Sequence, residues 1–279
     1  MVSSFLITLR EGLEAALIVA ILLTYLGKTG RRSEGRYVWW GTFSAAGACL
    51  VVGTLFFVLV DGLNGNVEYA VEGSIALAAT VVLTHMIFWM RRNAQNLSAE
   101  LRQKVDSAAK ASLFAIAFVA VVREGLETVL FLLSAETASS SGTSVVVGGL
   151  IGLAAAIVIG VLVFAGGRKV NLKAFFNVTA VLLLLFAAGL AGKAVHEFIE
   201  LAGVSESWFA QPVWTIDGGI WASGTFYDFM RGLFGWSNSP EVLALVAYFG
   251  YLLPVMYIYF RRHDRPAKPV TTPTVGAAA

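Results

Sequence analysis

The chain holds 279 residues, 57% of them hydrophobic and only 14% charged, with a formal net charge of +2. Soluble domains are about 45–50% apolar and about a quarter charged, so this composition excludes a soluble globular protein and indicates a polytopic membrane protein. Cys49 is the single cysteine, which excludes an intrachain disulfide and a cysteine metal cluster.

Read in chain order, seven stretches approach or exceed the roughly 20 apolar residues that cross a bilayer. They cover about 4–26, 37–60, 69–90, 111–135, 144–166, 174–202 and 241–260. The first is expected to be retained rather than cleaved as a leader, because Arg10, Glu11 and Glu14 interrupt its apolar run and no basic stretch precedes it. In the third span His85 stands alone and is expected to be a packed, hydrogen-bonded histidine. Asp106 precedes the fourth span, where it suits a helix start, a loop or an exit contact. Gly148 and Gly152 form a G-x-x-x-G packing motif in the fifth. The longer segment from 203 to 240 carries Trp208, Trp214, Trp221 and Trp236, as membrane–water interfaces do. Residues 1–265 thus read as one transmembrane domain, and 266–279, rich in Pro, Thr and Ala, as a disordered cytoplasmic tail.

Lys and Arg fix the expected orientation. Sixteen of the 20 fall in 27–36, 91–110, 167–173 and the segment after 260, whereas the opposite loops hold only Arg231. The positive-inside rule then places the N-terminus outside and the C-terminus in the cytoplasm. Carboxylates show the reverse bias. They read either as ordinary outer-loop acids or as an electronegative vestibule that gathers cations.

The pentapeptide Arg-Glu-Gly-Leu-Glu occurs twice, at Arg10–Glu14 and Arg123–Glu127, near the middle of the first and fourth spans. One of these spans runs inward and the other outward. Spans 1–3 (about 1–90) and 4–6 (about 111–202) are therefore expected to be inverted repeats, with the seventh helix (about 241–260) outside the repeat. Transporters of that design bind substrate near the bilayer midplane, between the repeats. Residues three or four apart share a helix face. Glu11 and Glu14 point one way, Glu124 and Glu127 likewise, and Arg10 and Arg123 can each pair with the glutamate four residues on. Gly12 and Gly125 are expected to let these two helices approach closely. Locking pairs alone would leave the second carboxylate of each helix without a partner. An ionised group at mid-membrane costs several kcal/mol, so such residues face a bundle interior or a watery path.

Four converging carboxylates make a hard oxygen site. Iron, calcium, magnesium and manganese all suit it. Four Glu against two Arg sum to −2, which a divalent ion neutralises and a trivalent ion overshoots.

The doubled R-E-G-L-E resembles the R-E-x-x-E motifs of the oxidase-dependent iron permease family, the yeast high-affinity ferric permeases and the bacterial Efe-type permeases. The likeness extends through "LREGLEAALIVAILL", "VEGSIALAATVVLTHMIFWMRR", "VDSA", "VREGLETVLFLLSAE" and "NLKAFFNVT". It implies inward transport of iron, most simply as the ferric ion, across the cytoplasmic (inner) membrane. Glu11, Glu14, Glu124 and Glu127 would be the metal ligands and Arg10 and Arg123 their charge partners. It also implies separate partners: an extracytoplasmic iron oxidase or haem peroxidase, and a periplasmic iron-binding protein. Iron would be the cargo, with no permanently bound cofactor, and lipid rather than nucleic acid the surrounding partner.

Other carboxylates are candidates for entry or accessory contacts. Glu68 and Glu72 open the third span; the helix dipole explains Glu68 well, and Glu72 lies one turn deeper. His196, Glu197 and Glu200 form "HEFIE" near the outer end of the sixth span. A zinc protease would need His where Glu200 stands. A polar helix end or a secondary metal contact fits instead. No nucleophile–base pair lies inside the spans, so an enzyme is not expected. The rival functions are transport of another cation, such as manganese or lead, and proton-coupled cation export.

Overall fold

The computed structural model describes residues 1–93, 103, 105, 110–137, 142–164 and 172–261. The stretch expected as a disordered tail and Asp106 both lie outside the described residues. Among the described residues, eight α-helices have defined bounds: α1 (Val2–Lys28), α2 (Gly35–Asp61), α3 (Asn66–Asn93), α4 (Lys110–Thr137), α5 (Gly142–Phe164), α6 (Leu172–Ala202), α7 (Thr225–Phe234) and α8 (Val242–Arg261). Two 3-10 turns and one isolated bridge, Pro212 to Glu241, complete the described architecture.

Helices α2, α3, α5, α6 and α8 are long and apolar enough to cross a membrane. Helices α1 and α4 have 27 and 28 residues, about 40 Å at 1.5 Å per residue. Each carries three charged residues at its middle. A short helix, α7, lies in the Trp-rich segment, where the sequence pattern suggests only interfacial aromatics. Gly235, at φ 67°, ends α7 in the left-handed conformation that glycine adopts without strain. Beside it Trp236 stacks on Trp214 and meets Trp221 at a tilt, with ring centroids 5.8 and 5.2 Å away.

The heaviest packing is between α1 and α5, α2 and α4, and α3 and α6. Small residues make the first two contacts close. In α5, Gly148 backs onto Met1 and Ser4 of α1, and Gly160 onto Ala16. In α2, Gly41 backs onto Phe114 and Ala117 of α4, and Gly53 onto Val129. These contacts are counterparts. A shift of 113 residues, the interval from Gly12 to Gly125, carries α1 onto α4. A shift of 107, from Gly41 to Gly148, carries α2 onto α5. Together they turn Gly148–Met1 into Gly41–Phe114, Gly148–Ser4 into Gly41–Ala117, and Gly160–Ala16 into Gly53–Val129. The contact numbers rise together in each pair, so α1 runs parallel to α5 and α2 parallel to α4. Because α1 and α2 form a hairpin, α1 runs antiparallel to α4.

The glycines of the doubled motif obey the same exchange and correct one expectation. Gly12 packs on Ala156 and Leu153 of α5, and Gly125 on Cys49 of α2. They let each motif helix approach the second helix of the other half, not the other motif helix. Small side chains at those crossings leave the opposite faces of α1 and α4, with their carboxylates, free to meet.

Two apolar clusters lie on either side of the motif. Along α1, Ile7 belongs to one cluster and Ile18, Val19, Leu22 and Leu26 to the other. Along α4, Leu113, Ala117 and Val121 belong to the second cluster and Phe131 and Ala135 to the first. The charged residues at 10–14 and 123–127 therefore sit between two apolar layers. His85 is exposed and not packed as expected. Helix α3 gives Ala76, Leu83 and Ile87 to the core, and this turns Leu77, Val81 and His85 outward together.

Candidate functional site

The two motif helices bring their carboxylates to one place. One oxygen each from Glu11, Glu14 and Glu124 lie within 4.8 Å of one another, and all three residues are buried. Glu127 is not in that trio but completes the same mid-helix band, its side chain 14% exposed.

The arginines differ sharply. Arg10 is 2% exposed. Its Nη1 donates to Glu11 Oε1 at 2.8 Å, and its Nη2 lies 3.1 Å from Glu14 Oε1. Met86 Sδ of α3 caps the same guanidinium. Arg123, the equivalent residue, is 44% exposed. Its Nε donates to Glu127 Oε1 at 3.0 Å, and the guanidinium lies 4.5 Å from the centroid of the Trp89 ring. The pairs at four-residue spacing are present in both helices. The expectation that locking pairs strand a second carboxylate needs correction on α1, where Arg10 reaches Glu11 as well. It holds on α4: the Glu124 side chain has neither hydrogen bond nor ion pair among the described residues.

All four motif glutamates keep one buried oxygen without a hydrogen bond: Glu11 Oε2, Glu14 Oε1, Glu124 Oε2 and Glu127 Oε2. Of these only Glu14 Oε1 has a close cation, the out-of-line Arg10 Nη2. Buried polar atoms are otherwise nearly always satisfied. When ionised, such carboxylate oxygens are acceptors only, the chemistry a hard cation requires.

The remaining candidates are elsewhere. Glu68 sits in the first turn of α3. Glu72 is taken by Lys193 of α6, 2.7 Å away. Lys193 also lies 3.5 Å from Glu197 and donates to the Thr137 carbonyl, joining α3, α4 and α6. Glu200 accepts from Ser205 at 3.1 Å, and its neighbour His196 meets Glu241 at 2.8 Å. Sequence reasoning missed Lys193, Met86 and Trp89 as partners. The Lys193–Glu197 spacing of four residues was a readable signal. Nothing local marks Met86 or Trp89, because the packing of α3 against the motif helices selects them.

Residues 1–261 match the iron permease FTR1 family. Among curated proteins, the chain is 38% identical over 261 residues to the ferrous iron permease EfeU of Escherichia coli O157:H7, covering 91% of this chain and 94% of that protein. It is 36% identical over 262 residues to the ferrous iron permease EfeU of Yersinia pestis, covering 92% of each. No solved structure matches the chain.

Proposed function

The chain belongs to the iron permease FTR1 family, and from that premise we propose that it carries iron inward through the site formed by Glu11, Glu14, Glu124 and Glu127. The chain is a multi-pass membrane protein. The reading gives it seven crossings of the cytoplasmic membrane, with the N-terminus outside and the C-terminus inside, supported by the one-sided distribution of Lys and Arg. The paired exchange of α1–α5 and α2–α4 contacts supports two inverted three-helix repeats, with the site between them. The observation that carries the proposal is the set of four buried carboxylate oxygens without hydrogen bonds, one from each motif glutamate.

In the proposed cycle, an ion reaching the mid-membrane band exchanges its water for these oxygens. Arg10 and Arg123 hold the carboxylates when the ion has left, and the two apolar clusters keep bulk water from short-circuiting the site. Resemblance points to ferric ion, supplied by a separate oxidase or haem peroxidase. Ferrous iron is the second reading, favoured by the names of the relatives and by charge. Four carboxylates against two guanidiniums leave −2, which one divalent ion balances.

The test is uptake of radioactive iron by cells expressing the wild type, Glu14→Gln or Glu127→Gln, at matched protein levels. Loss of uptake in both variants supports the ligand role. Unchanged uptake in both rejects it. Repeating the wild-type assay with a reductant and then with a ferrous chelator separates the two oxidation states.

A further inference from the structure

A second group of metal-ligating side chains lies where α6 ends and α8 begins, away from the mid-helix carboxylates. His196 and Glu200 stand four residues apart on α6 and share one face. Glu241 immediately precedes α8. It is pinned by its bridge to Pro212 and by the Val242 N–H, which donates to the Gln211 carbonyl at 3.2 Å. One ligand atom from each of His196, Glu200 and Glu241 lies within 4.8 Å of the others.

His196 Nδ1 and Glu241 Oε1 are 2.8 Å apart, an ordinary hydrogen bond, and two details go beyond that pair. Glu241 Oε2 is buried and makes no hydrogen bond. Glu200 joins from the same helix face as His196, which a two-residue pair does not require. The imidazole is half exposed, and His196 and Glu241 border a cavity of about 310 Å³ that also receives Lys193 and Arg231. Lys193 is committed to Glu72 and Glu197, so it does not compete for Glu241.

We propose that His196, Glu200 and Glu241 form a second cation site, specific for divalent transition metals such as ferrous iron or manganese. One imidazole nitrogen with carboxylate oxygens suits first-row divalent ions, whereas calcium and magnesium take oxygen alone. Without an ion Nδ1–H donates to Glu241 Oε1; binding breaks that hydrogen bond and releases the Nδ1 proton, leaving the imidazole protonated on Nε2 with its Nδ1 lone pair on the ion. The mid-membrane band offers only oxygen. The two sites therefore differ in donor set, and this inference stands whether or not the motif carries iron.

The experiment uses purified, tag-free full-length protein in lipid nanodiscs, loaded with Mn²⁺ and examined by pulsed electron paramagnetic resonance for nitrogen coupling to the bound ion. The wild type should show histidine nitrogen coupling. His196→Gln should abolish it, and Glu241→Gln should weaken binding of the nitrogen-coordinated ion by about tenfold or more. The double variant Glu14→Gln, Glu127→Gln should retain the coupling, which separates this site from the transport motif. Absence of coupling in Mn²⁺-saturated wild type, or coupling that survives His196→Gln, overturns the proposal. Because His196 is half exposed, its substitution should leave the thermal unfolding temperature unchanged, and circular dichroism checks this.

Discussion

Arg10→Gln should destabilise the protein far more than Arg123→Gln, although the two arginines occupy equivalent places in a repeated motif. Arg10 is 2% exposed and serves two carboxylates at 2.8 and 3.1 Å. Without it, Glu11, Glu14 and Glu124 retain oxygens within 4.8 Å of one another. Two charges at that separation repel by about 3.5 kcal/mol at an effective dielectric constant of about 20. Removing one partner from a buried ion pair costs about 3–5 kcal/mol, in line with that repulsion. Arg123 is 44% exposed, pairs only with Glu127 and rests on Trp89. An exposed pair contributes about 0–1 kcal/mol, and an exposed cation–π contact about 0.5–1 kcal/mol. At roughly 2–4 °C per kcal/mol for a chain of this size, Arg10→Gln should melt roughly 6–20 °C below wild type, and Arg123→Gln within several degrees of it. The assay is thermal unfolding of detergent-purified protein followed by size-exclusion chromatography. Equal shifts for the two variants would refute the argument that burial makes the halves unequal.

Three further outcomes are expected. Lys193→Met should strand Glu72 and Glu197 and cost about 1–3 kcal/mol, and adding Glu72→Gln should recover part of the loss; a thermal-melt double-mutant cycle with no coupling would deny the α3–α6 ion pair a structural role. Gly41→Val and Gly148→Val occupy equivalent crossings, so each should cost about 1–3 kcal/mol by overpacking; a large effect at one and none at the other, read from melts, would contradict the repeat. Under the proposed ligation iron and protons would compete for the same oxygens, because ligand carboxylates must be ionised to bind metal, so uptake at subsaturating iron should rise from about pH 5 to about pH 8. Initial rates that stay flat across that range would count against carboxylate ligation.

Much of this architecture was legible because membrane helices announce themselves by length and apolarity. The ends of α1 through α6 and α8 fall within three residues of the expected spans. The motif pairs were legible too, since Arg10 to Glu14 and Arg123 to Glu127 are set by helical spacing alone. The environments of those pairs were not. Identical pentapeptides give one arginine at 2% exposure and one at 44%, and α3 presents Met86 to the first and Trp89 to the second, differences that only tertiary packing decides. His85 shows the same limit from the other side. Its exposure follows from which face of α3 meets α6, and an apolar helix with little periodicity does not reveal its inner face. Helix α7 was legible but masked by its setting: its ten residues are strongly amphipathic at helical spacing, among tryptophans that suit an interface on their own.

The exchange of partners between the halves gives the doubled motif its physical sense. One helix face offers two carboxylates at most within a turn, which is too few to replace the hydration shell of a small, highly charged ion. Bringing a second pair alongside requires α1 and α4 to meet. Had each packed on its own hairpin partner, the two halves could fold as separate bundles with the carboxylates outside both. Instead α1 takes α5 and α4 takes α2, with Gly12, Gly125, Gly41 and Gly148 at the crossings. Neither half then has a complete core without the other. The four glutamates lie on the surface that the exchange closes, between the cluster around Phe131 and Leu184 and the cluster around Leu22 and Leu113. The same helix crossings that close the core therefore bring the four carboxylates together.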